Sequence, residues 1–401
     1  MAATEKGVWG IQDIRDKLLN NPTSWKYDTN EHQMWTTGWN NDGELGQNNL
    51  IKYSSPVQLG SGKDWIKGAR PALSSGDPYH MMASKTDGTM YAWGRNDSGQ
   101  LGQNNKTSYS SPVQIPGTTW SQSELWITHK SGYATKTDGT LWSWGYNSPS
   151  YGHLGHNNKT DYSSPKQVPG TTWNKLAVGG SNVYAIKTDG TLWSWGQANY
   201  GMLGLNGTTA FSSPKQVGSR TVWAEISAGE TFGVAIVKNT PGSWEEGGLY
   251  VWGNNERGQL AYNNNTNLSS PRYISGGWHK ITSSQNTNVA IRNNVDGVGG
   301  TLWAWGSNEH GELANNEGGD NVHRSTPTQI GNDSTWTHVA GGYRNFYAGK
   351  SDGTIWVWGL NSHGQLGLNN RTPMSSPTQV PGTYAEGTGV SKLSGAFIKK
   401  L

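Results

Sequence analysis

Residues 171–196 read TTWNKLAVGGSNVYAIKTDGTLWSWG, and a Gly-x-Leu-Gly turn and SSPKQV follow. Lys175–Val178 alternates and stops at Gly179-Gly180, which predicts a short strand and a turn. Val183–Lys187 predicts a second strand. Asp189-Gly190 then marks a tight hairpin, read as type I′ because that turn needs positive φ at both central positions. Leu192–Trp195 is the third strand, with Trp193 and Trp195 on one face and Leu192 and Ser194 on the other. Gly196 ends it. Pro214 is expected to open a fourth strand, Lys215–Val217, where a missing N–H is tolerated.

The same punctuation returns seven times: a Trp-Gly or degenerate Thr-Gly step, then G-x-L-[GA], then Ser-Ser-Pro or Ser-Thr-Pro. The glycines of the first step are Gly38, Gly94, Gly145, Gly196, Gly253, Gly306 and Gly359, spaced 51 to 57 residues apart. A fixed period near 50 residues denotes units that bury their apolar faces only against one another. Seven units of four short antiparallel strands predict an all-β, seven-bladed β-propeller. The first unit begins midway, at Met34–Gly38, and the last ends midway, with Lys392–Ser394 and Ala396–Lys399 resembling the missing first two strands. One blade shared between the N- and C-terminal segments therefore closes the ring. The expected organisation is an extension over 1–30 and the propeller over 31–401.

Aliphatic bulk is scarce, and 22 Trp and 17 Tyr replace it. Each buried Trp removes about 150–250 Å² from water. Seventeen of the 22 Trp recur in register and are expected in the core or between blades; Trp9, Trp25, Trp39, Trp126 and Trp244 do not. The 56 Gly sit at turns, and Cys is absent, which excludes disulfides and thiolate chemistry. A net charge of +3 does not argue for nucleic acid, and no run is apolar enough for a membrane span.

Enzyme signatures are missing, so no catalytic, cofactor or metal residues are nominated and a non-enzymatic role is expected. Asp87, Asp138, Asp189 and Asp352 precede Gly in hairpins, where Asp favours the turn itself. His153 and His156 are expected to be solvated. The Asn-x-Ser/Thr triplets at Asn105, Asn158, Asn206, Asn264, Asn267 and Asn370 are read as turn chemistry. Candidate partner contacts come from departures from the repeat: Trp244, Glu245 and Glu246 in the long hairpin 239–248, and Tyr146 and Tyr151 in the loop 146–152. An aromatic there either anchors a partner or covers the blade beneath.

WGRNDSGQLG at 93–102 and WGLNSHGQLG at 358–367 resemble the repeat of the regulator of chromosome condensation superfamily over about residues 31–401. The resemblance implies a seven-bladed propeller closed by a shared blade. The photoreceptor branch of that superfamily builds a Trp cluster from Gly-Trp-Arg-His-Thr. The nearest string here is Gly342-Tyr343-Arg344-Asn345-Phe346, with Tyr for Trp.

GVWGIQDIRDKLLNNPTSW at 7–25 lies outside the repeat and places Ile11, Ile14 and Leu18 near helical spacing. It resembles a segment near the start of bacteriophage virion proteins. That resemblance implies a phage structural protein, located in the virion as a tail, neck or fibre component. Trp9, Ile11, Ile14, Leu18 and Trp25 would dock it to other virion proteins. The ring would face a host surface glycan or protein, and self-association on the particle fits the same picture. The alternative is a cellular regulator of the chromosome-condensation type that binds a GTPase or chromatin.

Overall fold

The computed structural model describes residues 32–68, 70–71, 79–237, 247–293, 299–319, 322–381, 386–390 and 394–400. Every blade repeats one plan, seen in its simplest form in blade 4. Trp173–Val178 is innermost, Asn182–Lys187 and Leu192–Gly196 follow, and Phe211–Gln216 is outermost, all antiparallel neighbours. Pro214 lies inside the outermost strand rather than opening it. An edge position leaves one side of that strand without ladder bonds, so the missing N–H costs little.

Seven such blades form the ring. Those built around Gly306 and Gly359 are joined further by one pairing, Gly300 with Trp336. The first blade is the shared one: His32–Gly38 pairs with Ser394–Lys400 residue for residue, from His32 opposite Lys400 to Gly38 opposite Ser394. Its innermost strand is Glu386–Val390, not Lys392–Ser394. The innermost strands touch in unbroken succession, from Glu386–Val390 through Trp65–Gly68 and onward to Trp336–Gly341, which returns to Glu386–Val390. The ring is closed.

The hairpin reading needs one correction. At Asp189-Gly190 only the glycine is left-handed, φ +79. The Gly190 amide donates to the Lys187 carbonyl and Lys187 to that of Thr191. This is a type I turn followed by a glycine bulge, so Asp is not required to take positive φ. Its carboxylate instead accepts the Thr191 amide and hydroxyl, at 2.9 and 2.7 Å. Asp87, Asp138 and Asp352 do the same with the Thr two residues on, which holds all four carboxyls below their ordinary range.

The repeat signature is explained at the seams between blades. Trp93, Trp144, Trp195, Trp252, Trp305 and Trp358 are fully buried. Each donates its indole Nε1–H across a seam, at 2.8–3.0 Å, to the carbonyl of the variable residue in the preceding G-x-L-[GA] turn. The first Gly of that turn lies so close to the next blade that a Cβ on Gly99 would stand 2.6 Å from Ser163 Cα. A left-handed Asn beyond the turn donates its amide to that same Ser carbonyl. The pairs run from Asn48–Ser110 to Asn369–Ser54, so all seven seams are bonded.

Within the turn, Asn96 and its counterparts are fully buried. The Asn96 Oδ1 accepts the Leu101 amide, and its Nδ2 donates to the Asn105 carbonyl. Asn105, Asn158, Asn264 and Asn370 each accept the amide two residues on, a local turn bond.

Candidate functional site: the loop face

Antiparallel order gives the ring two unlike faces. The Asp-Gly hairpins and the connections between blades lie at one end of the strands. At the other end, the loop face, are the Trp-Gly glycines, the long third-to-fourth-strand loops and the turns between first and second strands. Among the described residues the large hydrophobic side chains most exposed are Leu50, Ile51, Tyr146 and Tyr200, at 59, 58, 36 and 44%. All four are on the loop face, from three blades. Leu50-Ile51 occupies a place held by Lys106-Thr107 and Lys159-Thr160 in sister blades.

Tyr200 is left-handed, with φ +60 and ψ +12, in a 3-10 turn over Asn199–Gly201. That conformation is costly for a bulky residue. Blade 4 has Ala198 where the other blades keep the buried Asn. Tyr151 reaches the same blade, accepting a bond from Gln197 at 3.3 Å, and Tyr146 packs near His153 with ring centroids 6.2 Å apart. Gln197–Phe211 contains no charged residue.

Blades 5–7 present a charged network instead. The Arg344 guanidinium bonds Glu309, His310 and Gln285. Glu309 also pairs with Arg257 at 3.7 Å, Arg257 meets His323, and Gln285 donates to Glu230. Arg344 is itself left-handed, φ +57, with its amide on Ser284 Oγ. Arg344 and Glu309 are largely screened from solvent, so their pairing counts for more than an exposed one. The sequence shows Arg344 only as part of the string 342–346; the loops that meet it are far apart in the chain.

At the seam between blade 7 and the shared blade, Thr37 stands where the other blades have the clamping Trp. Its hydroxyl bonds the Tyr53 carbonyl and approaches that of Gly364. Trp39 stands edge-on to His363 at 5.1 Å and under Lys52 at 3.3 Å. Trp126, the other out-of-register Trp described, is on the innermost strand of blade 3. It lines a cavity of about 30 Å³ with Ile226, Ile281 and Val339 of three blades beyond. Such a space admits about one or two waters.

His153 and His156 are buried, contrary to the expectation of solvation. Desolvation lowers both to about 4, so each is a neutral partner of Ser131 or Ser143. No group of three or more His, Cys, Asp or Glu converges on a metal geometry among the described residues. Trp244, Glu245, Glu246, Trp9, Ile11, Ile14, Leu18 and Trp25 lie outside the described residues.

Comparison with known proteins shows the lineage of this ring. The profile of the regulator of chromosome condensation (RCC1) repeat matches residues 87–123, 138–186, 189–236, 246–291, 299–347 and 352–392. The ultraviolet-B receptor UVR8 of Arabidopsis thaliana is 28% identical over 313 residues, 75% of this chain and 68% of that one. The regulator of chromosome condensation of Xenopus laevis is 25% identical over 375 residues, 84% of each chain. The human E3 ubiquitin-protein ligase HERC2 is 26% identical over 71% of this chain, which spans only 6% of that protein. Among solved structures, yeast RCC1 (Prp20) bound to Kap60 and human WBSCR16 each superpose with a TM-score of 0.76 at 19% identity. Both cover 92% of this chain, and the match spans 89% and 99% of theirs.

These matches correct the expectation of a phage structural protein with virion partners and a virion location. That expectation rested on one short phrase outside the ring, whereas the ring itself matches plant, vertebrate and yeast proteins over most of its length. A few residues without a fold around them discriminate poorly; a repeat whose clamping Trp and turn Gly have seam roles discriminates well. The chain belongs to the regulator of chromosome condensation repeat family.

Proposed function

We propose that this chain is a cellular regulator that works by binding a protein partner on its loop face, with a small GTPase or histones as the partner classes. The observation that carries the reading is the gathering on one face of Leu50, Ile51, Tyr146 and Tyr200, the large hydrophobic side chains that are exposed among the described residues. Tyr151 and the Arg344–Glu309 network widen that surface with aromatic and guanidinium groups, the side chains that dominate protein interfaces. Prp20p of Saccharomyces cerevisiae, studied for its binding to Gsp1p and histones, shares the fold. Its partners supply the classes to test. Action on a GTPase would draw on binding energy and need no covalent chemistry by the propeller.

The test is a binding and nucleotide-release assay with recombinant Gsp1-type GTPase, and a pull-down with core histones. Ile51→Asp, Tyr200→Ala and Arg344→Glu are each expected to weaken capture at least about tenfold. Asp189→Ala, on the opposite face, should not. Equal loss in the Asp189 variant, or no binding by the native chain to either partner, would refute the proposal.

A further inference from the structure

Each blade carries one left-handed Asn beyond its G-x-L-[GA] turn, at φ +54 to +63. In six blades the residue that follows this Asn is pinned. The buried Asn of the turn donates its Nδ2–H to that residue's carbonyl, at 2.8–3.2 Å. In five of the six the pinned residue is itself Asn, and its Oδ1 accepts the amide two residues on.

Blade 4 lacks both restraints. Ala198 replaces the buried Asn, and Gly207 replaces the pinned residue. Asn206 and Gly207 form the single Asn-Gly step in the chain. Asn206 is exposed at φ +58, and a Cβ on Gly207 would meet nothing within 4 Å. Glycine adopts either sign of φ, so the 206–207 peptide is free to turn over by about 180° between the related turns open to Asn-Gly. In the left-handed form the Gly207 nitrogen points away from the Asn206 Cβ; turned over, it lies beside it.

We infer that Asn206-Gly207 is a site of spontaneous deamidation and isomerisation in the folded ring. The Gly207 nitrogen loses its proton to hydroxide and attacks Asn206 Cγ. The Cγ–Nδ2 bond breaks and ammonia leaves, taking its third proton from water, which completes a five-membered imide. Water then adds to either imide carbonyl and that carbon–nitrogen bond breaks. The products are aspartate and isoaspartate.

Either product places a carboxylate in the stretch 197–211, which has no charged residue, on the loop that carries exposed Tyr200. Isoaspartate also lengthens the main chain by an atom directly beyond the Asn206 amide, which bonds the Ser269 carbonyl of blade 5 at 2.8 Å. The modification therefore alters both the charge of the loop face and one of its seams. It stands whether or not that face binds a GTPase or histones.

The experiment is peptide mapping by mass spectrometry after incubation of the full chain at pH 8.5. Isoaspartate is scored by methyl transfer from S-adenosylmethionine with an isoaspartyl methyltransferase. With one hydrogen bond and one Cβ removed, Asn206 should convert at least about tenfold faster than its left-handed counterparts Asn104, Asn157 and Asn263. Gly207→Asn, which restores the sister residue, should abolish the excess. Ala198→Asn restores the pin while keeping the Asn-Gly step, and should slow conversion severalfold. Unchanged melting would show both variants folded. Conversion of Asn206 no faster than that of its counterparts, or a rate that Ala198→Asn leaves unchanged, would overturn the inference.

Discussion

Replacing Glu44 and Glu312 by Gln is expected to stabilise the ring at neutral and alkaline pH and to do much less in acid. Both residues occupy the variable place in G-x-L-[GA], where three other blades have Gln100, Gln259 and Gln365. In all five the side-chain oxygen accepts the amide two residues before: Asp42 and His310 for the acids, Ser98, Arg257 and His363 for the amides. Both carboxyls are buried against the seam, and desolvation raises each from 4.5 to about 7.

A carboxyl whose folded pKa exceeds its unfolded value binds more protons when folded. Its contribution is therefore present below pH 4.5 and lost as pH rises through 7. At about 1.4 kcal/mol per unit, each ionised Glu costs roughly 3 kcal/mol above pH 8, falling to roughly 1 kcal/mol at pH 5. Gln keeps the accepted bond and carries no such cost. Thermal unfolding followed by Trp fluorescence at pH 5 and pH 8.5 would measure the gain for each single variant and the pair. The two sites lie in separate blades, so their gains should add. The difference from the native chain is the quantity to read, because buried His80, His153 and His156, lowered to about 3, 4 and 4, pull the other way below pH 6.5. A gain that is the same at both pH values, or a loss at pH 8.5, would refute the reasoning.

Two further predictions concern the seams. Gly99→Ala should destabilise by at least about 2 kcal/mol in urea unfolding, because it adds left-handed strain at φ +80 to a backbone clash with Ser163. Ala314→Gly should raise stability by about 0.5–1 kcal/mol, because Ala314 is held at φ +54 where five sister turns have Gly; no change in the urea midpoint would count against that account.

The periodic glycines, Asp-Gly hairpins and register of the tryptophans made the blades and their closure legible from the chain alone. What hid from that reading depends on partners that are not neighbours in the chain. Nothing local to Asn48 or Asn369 says that its amide will meet a serine of the next blade. Nothing beside His153 in the chain says that its ring will be buried against Ser131 and Tyr146. Trp126 takes the place that Ala177 holds in blade 4, beyond extra residues between Trp120 and Leu125 that form a bulge spacing did not reveal. The loop face escaped for the same reason: Arg344 gains its meaning from Glu309 and Gln285 on a neighbouring blade. The phage reading failed differently, by giving a short phrase the weight that only a structurally accountable repeat can bear.

The junction at Thr37 differs from the six others in strength as well as chemistry. No clamping indole N–H bonds across it, and its amide bond from Asn369 to Ser54 is 3.1 Å against 2.7–2.9 Å elsewhere. The segment 32–58 is held there, by the ladder to 394–400, and by the bonds of Glu44 and Asn48 to blade 2. The circle thus has a clasp, and hydrogen exchange should reach the amides of 32–58 before those of any blade built from continuous chain.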